Sequence, residues 1–229
     1  MTKATNVLVP GAWLAPAFYE PFLNAVSEAG HPIHCAEYPS LNPVDPTTAE
    51  SENPTPTPLP RRSIASPRVK DAISYSSSAA RGLSKTEREK QGRSGGVVGM
   101  VFVAAFIVPE GPLPNLNVPS EPTATFAADV DSKLVCKITD NVKPHPTLAF
   151  NSPSPAPAWV DEAYSGRLAA IVTMADQAVP QEAQYGMIAA TKRDWIIKET
   201  ECSHCAPFLS RIRECVRLVL GLLGEFERI

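Results

Sequence analysis

Two residues near the end of the chain are of the types, and at the spacing, that move protons. Arg167 to Leu209 reads RLAAIVTMADQAVPQEAQYGMIAATKRDWIIKETECSHCAPFL. RLAAIVT is apolar and β-branched, which predicts a strand, and Asp176 sits just past its carboxyl end. DWIIKET predicts the next strand, with Ser203-His204 just past its end. Between them, Pro180 to Ala190 has helical composition, with Ala183, Met187 and Ala190 at i, i+4 and i+7. In an open parallel α/β sheet, ligands bind outside the carboxyl ends of the strands. An acid and a histidine therefore arrive at one rim, where a carboxylate can orient an imidazole. Taken singly, an Asp after a strand is a common turn or helix N-cap residue, and a lone His is often structural.

Cys202 and Cys205 bracket that histidine. A C-x-x-C pair can be redox-active or can begin a metal site. No second pair of Cys or His lies at finger-like spacing, and a redox pair wants a helix N-terminus early in a thioredoxin-like unit. The two cysteines read as small apolar fillers beside the histidine. The five cysteines are odd in number and scattered, which suits reduced thiols.

The elements that must position these residues follow from the rest of the chain. Its 229 residues suit one domain with a sizeable core. Asn6 to Val9 predicts a short strand, followed by the turn Pro10-Gly11-Ala12-Trp13. Ala17 to Ala29 predicts an amphipathic helix with Phe18, Phe22 and Val26 on one face and Gly30 as its stop. Pro32 to Ala36 predicts the second strand, with His31 and His34 read as ordinary surface or strand positions. From Glu50 the chain turns rich in proline, serine and charge, and PRVKDAI places Arg68, Lys70 and Asp71 where a buried strand would need aliphatic residues. Val97 to Gly111 predicts a strong strand. Asp129 to Val142 predicts a short helix, and Pro207 to Phe226 a final amphipathic one.

Composition excludes several functions. A formal net charge of −3 leaves no basic footprint for nucleic acid or an anionic membrane. The longest apolar run, Val97 to Pro109, is broken by glycine and too short to span a bilayer. No G-x-G-x-x-G or Walker pattern supports nucleotide binding. The first residues pass straight into a strand without a leader-like apolar stretch, so a cytosolic protein is expected. No cofactor and no metal are expected, and the expected partner is a small-molecule substrate.

The pattern T-x-x-D-x-x-x-P-x-x-x-Q-x-x-M (Thr173 to Met187) followed by S-H-x-x-P-F-L (Ser203 to Leu209) resembles the C-terminal part of α/β-hydrolases. The similarity is to the small-esterase and hydroxynitrile-lyase-like branch, especially its fungal members, and covers about 6–46 and 82–226. It implies an α/β-hydrolase-type fold: a mostly parallel sheet, helices on both faces, and a shortened lid within Pro112 to Trp159. It implies that Asp176 and His204 are the triad acid and base. The turn after the first strand would supply an oxyanion-hole N–H from Ala12 or Trp13, since Pro10 has none.

The nucleophile elbow of that family is G-x-S-x-G. Ala72-Ile73-Ser74-Tyr75-Ser76 comes nearest to it, with Ser74 as nucleophile and the Tyr75 N–H as second oxyanion donor. It lacks both glycines, and residues 50–78 depart from the family pattern. The resemblance implies a serine hydrolase acting on a carboxylic ester, lactone or related acyl bond of a small molecule, in fungal secondary metabolism. Three alternatives stay open: a non-hydrolytic lyase or cyclase, a catalytically dead binding protein, and the product of a damaged or mis-spliced gene. Glu50 to Ile73 is not expected to form a buried central strand, because burying its charges would cost several kcal/mol each.

Overall fold

The computed structural model describes residues 4–36, 78–111, 121–143 and 153–229. Asn6–Leu8 (β1) and Ile33–Cys35 (β2) pair in parallel, with Asn6 opposite Ile33. The crossover between them is a 3-10 turn, Pro16–Tyr19, running into helix α1, Glu20–Glu28. The four-residue spacing of Phe18, Phe22 and Val26 puts all three side chains in the core. At the end of α1, Gly30 takes φ 79°. Its N–H donates to the Ser27 carbonyl at 2.8 Å and the His31 N–H to the Val26 carbonyl at 3.2 Å, closing the helix as a glycine cap does.

Helix α2 (Lys85–Lys90) opens on Ser84, whose Oγ accepts the Glu87 N–H at 3.2 Å. The next strand, Met100–Val103 (β3), is shorter than the apolar run Val97 to Gly111 predicts. Ala104 stops it by taking φ 46°, a left-handed conformation in which a strand cannot continue. Pro122–Ala127 (α3) was not evident in the sequence, because it is short and no apolar period runs through it, although Pro122 stands in the first turn, where proline is favoured. Ser132–Thr139 (α4) is narrower than the predicted 129–142, since Asp131 caps it by accepting the Lys133 N–H at 2.8 Å.

Leu168–Thr173 (β4) is buried at every position and lies between β3 and Ile196–Thr200 (β5), both parallel to it. A strand with neighbours on both edges and helices on both faces has no polar side, which is why LAAIVT is continuously apolar up to its last residue. Ala169 and Ile171 pack under Leu222 and Phe226 of α6 (Ile212–Phe226). Leu168, Ala170 and Val172 pack against Ile188 of α5 (Gln181–Ala190), and against Trp159 and Tyr164. Each fully buried Leu, Ile or Val stabilises the fold by about 1.5–3 kcal/mol. Among the described residues β3 and β5 are the two edges of this sheet, and the alternating burial of β5 shows that one of its faces is more open to solvent.

Among the described residues the strands form two parallel sheets, of two and of three strands, where the sequence predicts one. A third apolar cluster joins them: Phe18, Phe22 and Val26 meet Cys202, Cys205, Phe208, Cys215 and Val216. The segment Glu50 to Ile73 lies outside the described residues.

Gly99, just before β3, lies flat against the ring of Phe226, where an added Cβ would overlap the ring carbons. Gly99→Ala is expected to destabilise the chain by about 1–3 kcal/mol through overpacking. A urea midpoint unchanged from wild type would contradict this packing.

Candidate active site

The ladder between β4 and β5 runs on past the strands. The Met174 N–H donates to the Thr200 carbonyl at 3.0 Å and the Ala175 N–H to the Cys202 carbonyl at 3.1 Å. These two bonds draw the acidic turn and the histidine loop together at the carboxyl rim. There, His204 Nδ1 stands 2.8 Å from Asp176 Oδ2. The Asp176 side chain is fully buried, whereas that of His204 remains 22% exposed. A neutral imidazole that donates from Nδ1 to this carboxylate carries its lone pair on Nε2, the arrangement a general base requires.

Asp176 is held from every side. Oδ1 accepts the N–H groups of Ala178 and Val179, both at 2.8 Å, in an Asx-type turn. Oδ2 accepts the Thr173 hydroxyl at 2.7 Å in addition to the imidazole. The turn and the imidazole are thus bonded by different oxygens of one carboxylate. Burial alone would raise the Asp176 pKa. The bond and charge of His204, with the Val179 N–H and the Thr173 hydroxyl, outweigh it and hold the carboxyl below its ordinary value.

Gln184 completes the frame. Its Nε2 donates to the Val179 carbonyl at 2.7 Å and the Thr173 carbonyl at 3.1 Å, while its Oε1 accepts the Thr173 N–H at 3.2 Å. One buried amide therefore clips the end of β4 to the start of α5, with the carboxylate between them. The signals for it were the Thr173 and Gln184 positions of the sequence pattern, and a glutamine on the inward face of a helix.

The turn after β1 carries Ala12 and Trp13. The Gly11 N–H donates to the buried Tyr19 hydroxyl at 3.3 Å, and the Lys143 N–H donates to the Trp13 carbonyl at 2.7 Å. Trp13 has φ 67°, a sparsely populated conformation for a bulky residue that persists only where the surroundings impose it. Its ring packs on Phe126 with centroids 6.3 Å apart, and Phe126 packs on the His204 ring at 5.4 Å. The turn and the imidazole thus meet the same aromatic side chain. Ser74 and Tyr75 lie outside the described residues.

Among solved structures, a methylesterase from Arabidopsis matches with a TM-score of 0.66 at 14% identity, over 96% of this chain and 98% of its own. An extracellular α/β-hydrolase from a Paenibacillus species matches at 0.64 and 12% identity, over 95% of this chain and 98% of its own. A variant of tomato methylketone synthase I, complexed with β-ketoheptanoate, matches at 0.62 and 14% identity, over 99% and 100%. The fold is that of an α/β-hydrolase. No family model matches the chain, and no curated protein matches it by sequence.

On this α/β-hydrolase fold the two cysteines beside His204 are buried free thiols. Burial, helped by the Asp129 and Glu214 charges, pushes Cys202 up to about 11. Burial and then the Asp176 charge push Cys205 up too. Redox and metal chemistry both need the thiolate, which these surroundings disfavour.

The electrostatics of Asp176 give a pH signature. Its folded pKa lies below its ordinary 3.8, so its contribution to stability is fully present above that value. The contribution is lost as pH falls through the lower folded value. Asp176→Asn is expected to be less stable at neutral pH by about 1–3 kcal/mol. The gap to wild type should narrow below about pH 4. A gap that stays constant down to acid unfolding would contradict the ionised, fully bonded carboxylate.

Proposed function

We propose that the chain is a serine-hydrolase-type enzyme cleaving a carboxylic ester, lactone or related acyl bond of a small molecule. The observation that carries this reading is the Asp176–His204 pair at 2.8 Å, with a buried carboxylate and a partly open imidazole. In the reaction the Ser74 oxygen attacks the carbonyl carbon while His204 Nε2 takes its proton. The tetrahedral oxyanion is met by backbone N–H groups at Ala12, Trp13 and Tyr75. His204 then returns the proton to the leaving alkoxide, and the acyl group rests on Ser74. Water, deprotonated by the same imidazole, releases the acid. Asp176 holds the Nδ1–H tautomer and stabilises the imidazolium that forms twice in each cycle. We place the reaction in the cytosol and in fungal secondary metabolism, with a polyketide-like substrate.

The methylesterase among the proteins of similar shape favours this chemistry. The methylketone synthase favours a second reading, a lyase or cyclase in which the same imidazole moves protons without an acyl-enzyme.

A fluorophosphonate probe separates the two. Hydrolase chemistry predicts covalent label on Ser74, lost in Ser74→Ala and slowed roughly a hundredfold or more in His204→Ala. Folded wild-type protein that takes no label would contradict the hydrolase reading.

A further inference from the structure

The peptide groups on both sides of His204 are held by a segment that belongs to neither β4 nor β5. The Ser203 N–H donates to Asp129 Oδ1 at 3.1 Å, and the Cys205 N–H donates to the Phe126 carbonyl at 2.8 Å. Between those anchors, the Phe126 ring packs on the imidazole with centroids 5.4 Å apart and planes tilted by 38°. All three contacts come from the end of α3 and the turn after it, within the chain between β3 and β4. Asp129 itself is exposed, yet it spends its Oδ1 on a backbone N–H of the histidine loop.

We propose that Asp129 and Phe126 are positioning residues for His204, so that the base is in register only while the end of α3 is docked on its loop. This rests on the reading of His204 as the base. Asp176 fixes the imidazole through Nδ1 but leaves the ring free to swing about that bond. The two peptide anchors fix the backbone from which the ring hangs, and the Phe126 face limits its tilt. A misplacement of about 1 Å at a reacting group costs about a hundredfold in rate. Movement of α3 therefore reads out directly in the position of the base.

The test uses the full chain and the variants Asp129→Ala and Asp129→Asn, followed by amide hydrogen exchange and ester kinetics. Asp129 is exposed, so both variants should fold. Alanine removes the acceptor; the Ser203 amide should exchange at least about tenfold faster and kcat should fall about tenfold with KM unchanged. Asparagine keeps an oxygen in the same place and should restore both. Phe126→Leu keeps the main-chain carbonyl, so the Cys205 amide should stay protected while kcat falls. Wild-type exchange at Ser203 in Asp129→Ala would overturn the proposal, as would failure of Asp129→Asn to restore protection. Exchange at Ser203 is read whether or not the chain turns over an ester. A chain without turnover would sink the hydrolase reading alone, and the alanine and asparagine exchange rates would still decide the brace.

Discussion

A carboxylate taken out of water is stable only if its oxygens are given back the hydrogen bonds they lost. Asp176 meets that condition with two backbone N–H groups on one oxygen, and a hydroxyl and an imidazole on the other. Each donor is supplied by a different local feature. The N–H groups come from the turn before α5, the hydroxyl from the last residue of β4, and the imidazole from the loop after β5. The turn, the strand end and the histidine loop therefore stabilise one another through a single side chain. Removing that side chain leaves several buried donors without a partner at once, and such a loss costs about 1–3 kcal/mol per group. The same arrangement that makes the carboxylate tolerable in the interior keeps it ionised and aimed at Nδ1.

Behind this network stands β4. Its two faces are claimed by different helices, α6 on one side and α5 on the other, so it can neither slip in register nor rotate. Gln184 extends that rigidity beyond the last strand residue by bonding both Thr173 backbone groups and the Val179 carbonyl. Arg167 does the equivalent at the other end, donating to the Phe226 carbonyl at 2.7 Å and the Val98 carbonyl at 3.2 Å. Asp176 thus sits just past the end of a strand that is buried at every position. His204 sits on a loop whose Ser203 and Cys205 N–H groups are bonded by Asp129 and Phe126, from outside both strands.

What could be read from the sequence was what burial and period dictate. The uniform run LAAIVT, the four-residue spacing of Phe18, Phe22 and Val26 and the apolar stripe of α6 were legible as a buried strand and two amphipathic faces. The Asp176 and His204 positions were legible because parallel strands put their carboxyl ends on one rim. The short β3 was not, because a left-handed Ala104 leaves no mark in composition. Helix α3 was hidden by its shortness and its two threonines, and it and the turn after it matter through contacts to Ser203, Cys205 and His204 far along the chain. Gln184 stood in the matched pattern without a role, since three of its partners, the Thr173 N–H and carbonyl and the Val179 carbonyl, are backbone atoms that no side-chain pattern records. Ser74 and Tyr75 fall outside the described residues, so the nucleophile remains a proposal.

The claim on which everything else rests is that Asp176 holds His204 as the Nδ1–H tautomer through a short, buried hydrogen bond. Proton NMR of the wild type with nitrogen-labelled histidine, read against Asp176→Asn, measures it directly. The account predicts a strongly deshielded proton bonded to His204 Nδ1, protected from solvent exchange in the wild type and absent from the variant. An Nε2–H tautomer, or a His204 ring proton that exchanges as fast as those of the exposed His34, would contradict it.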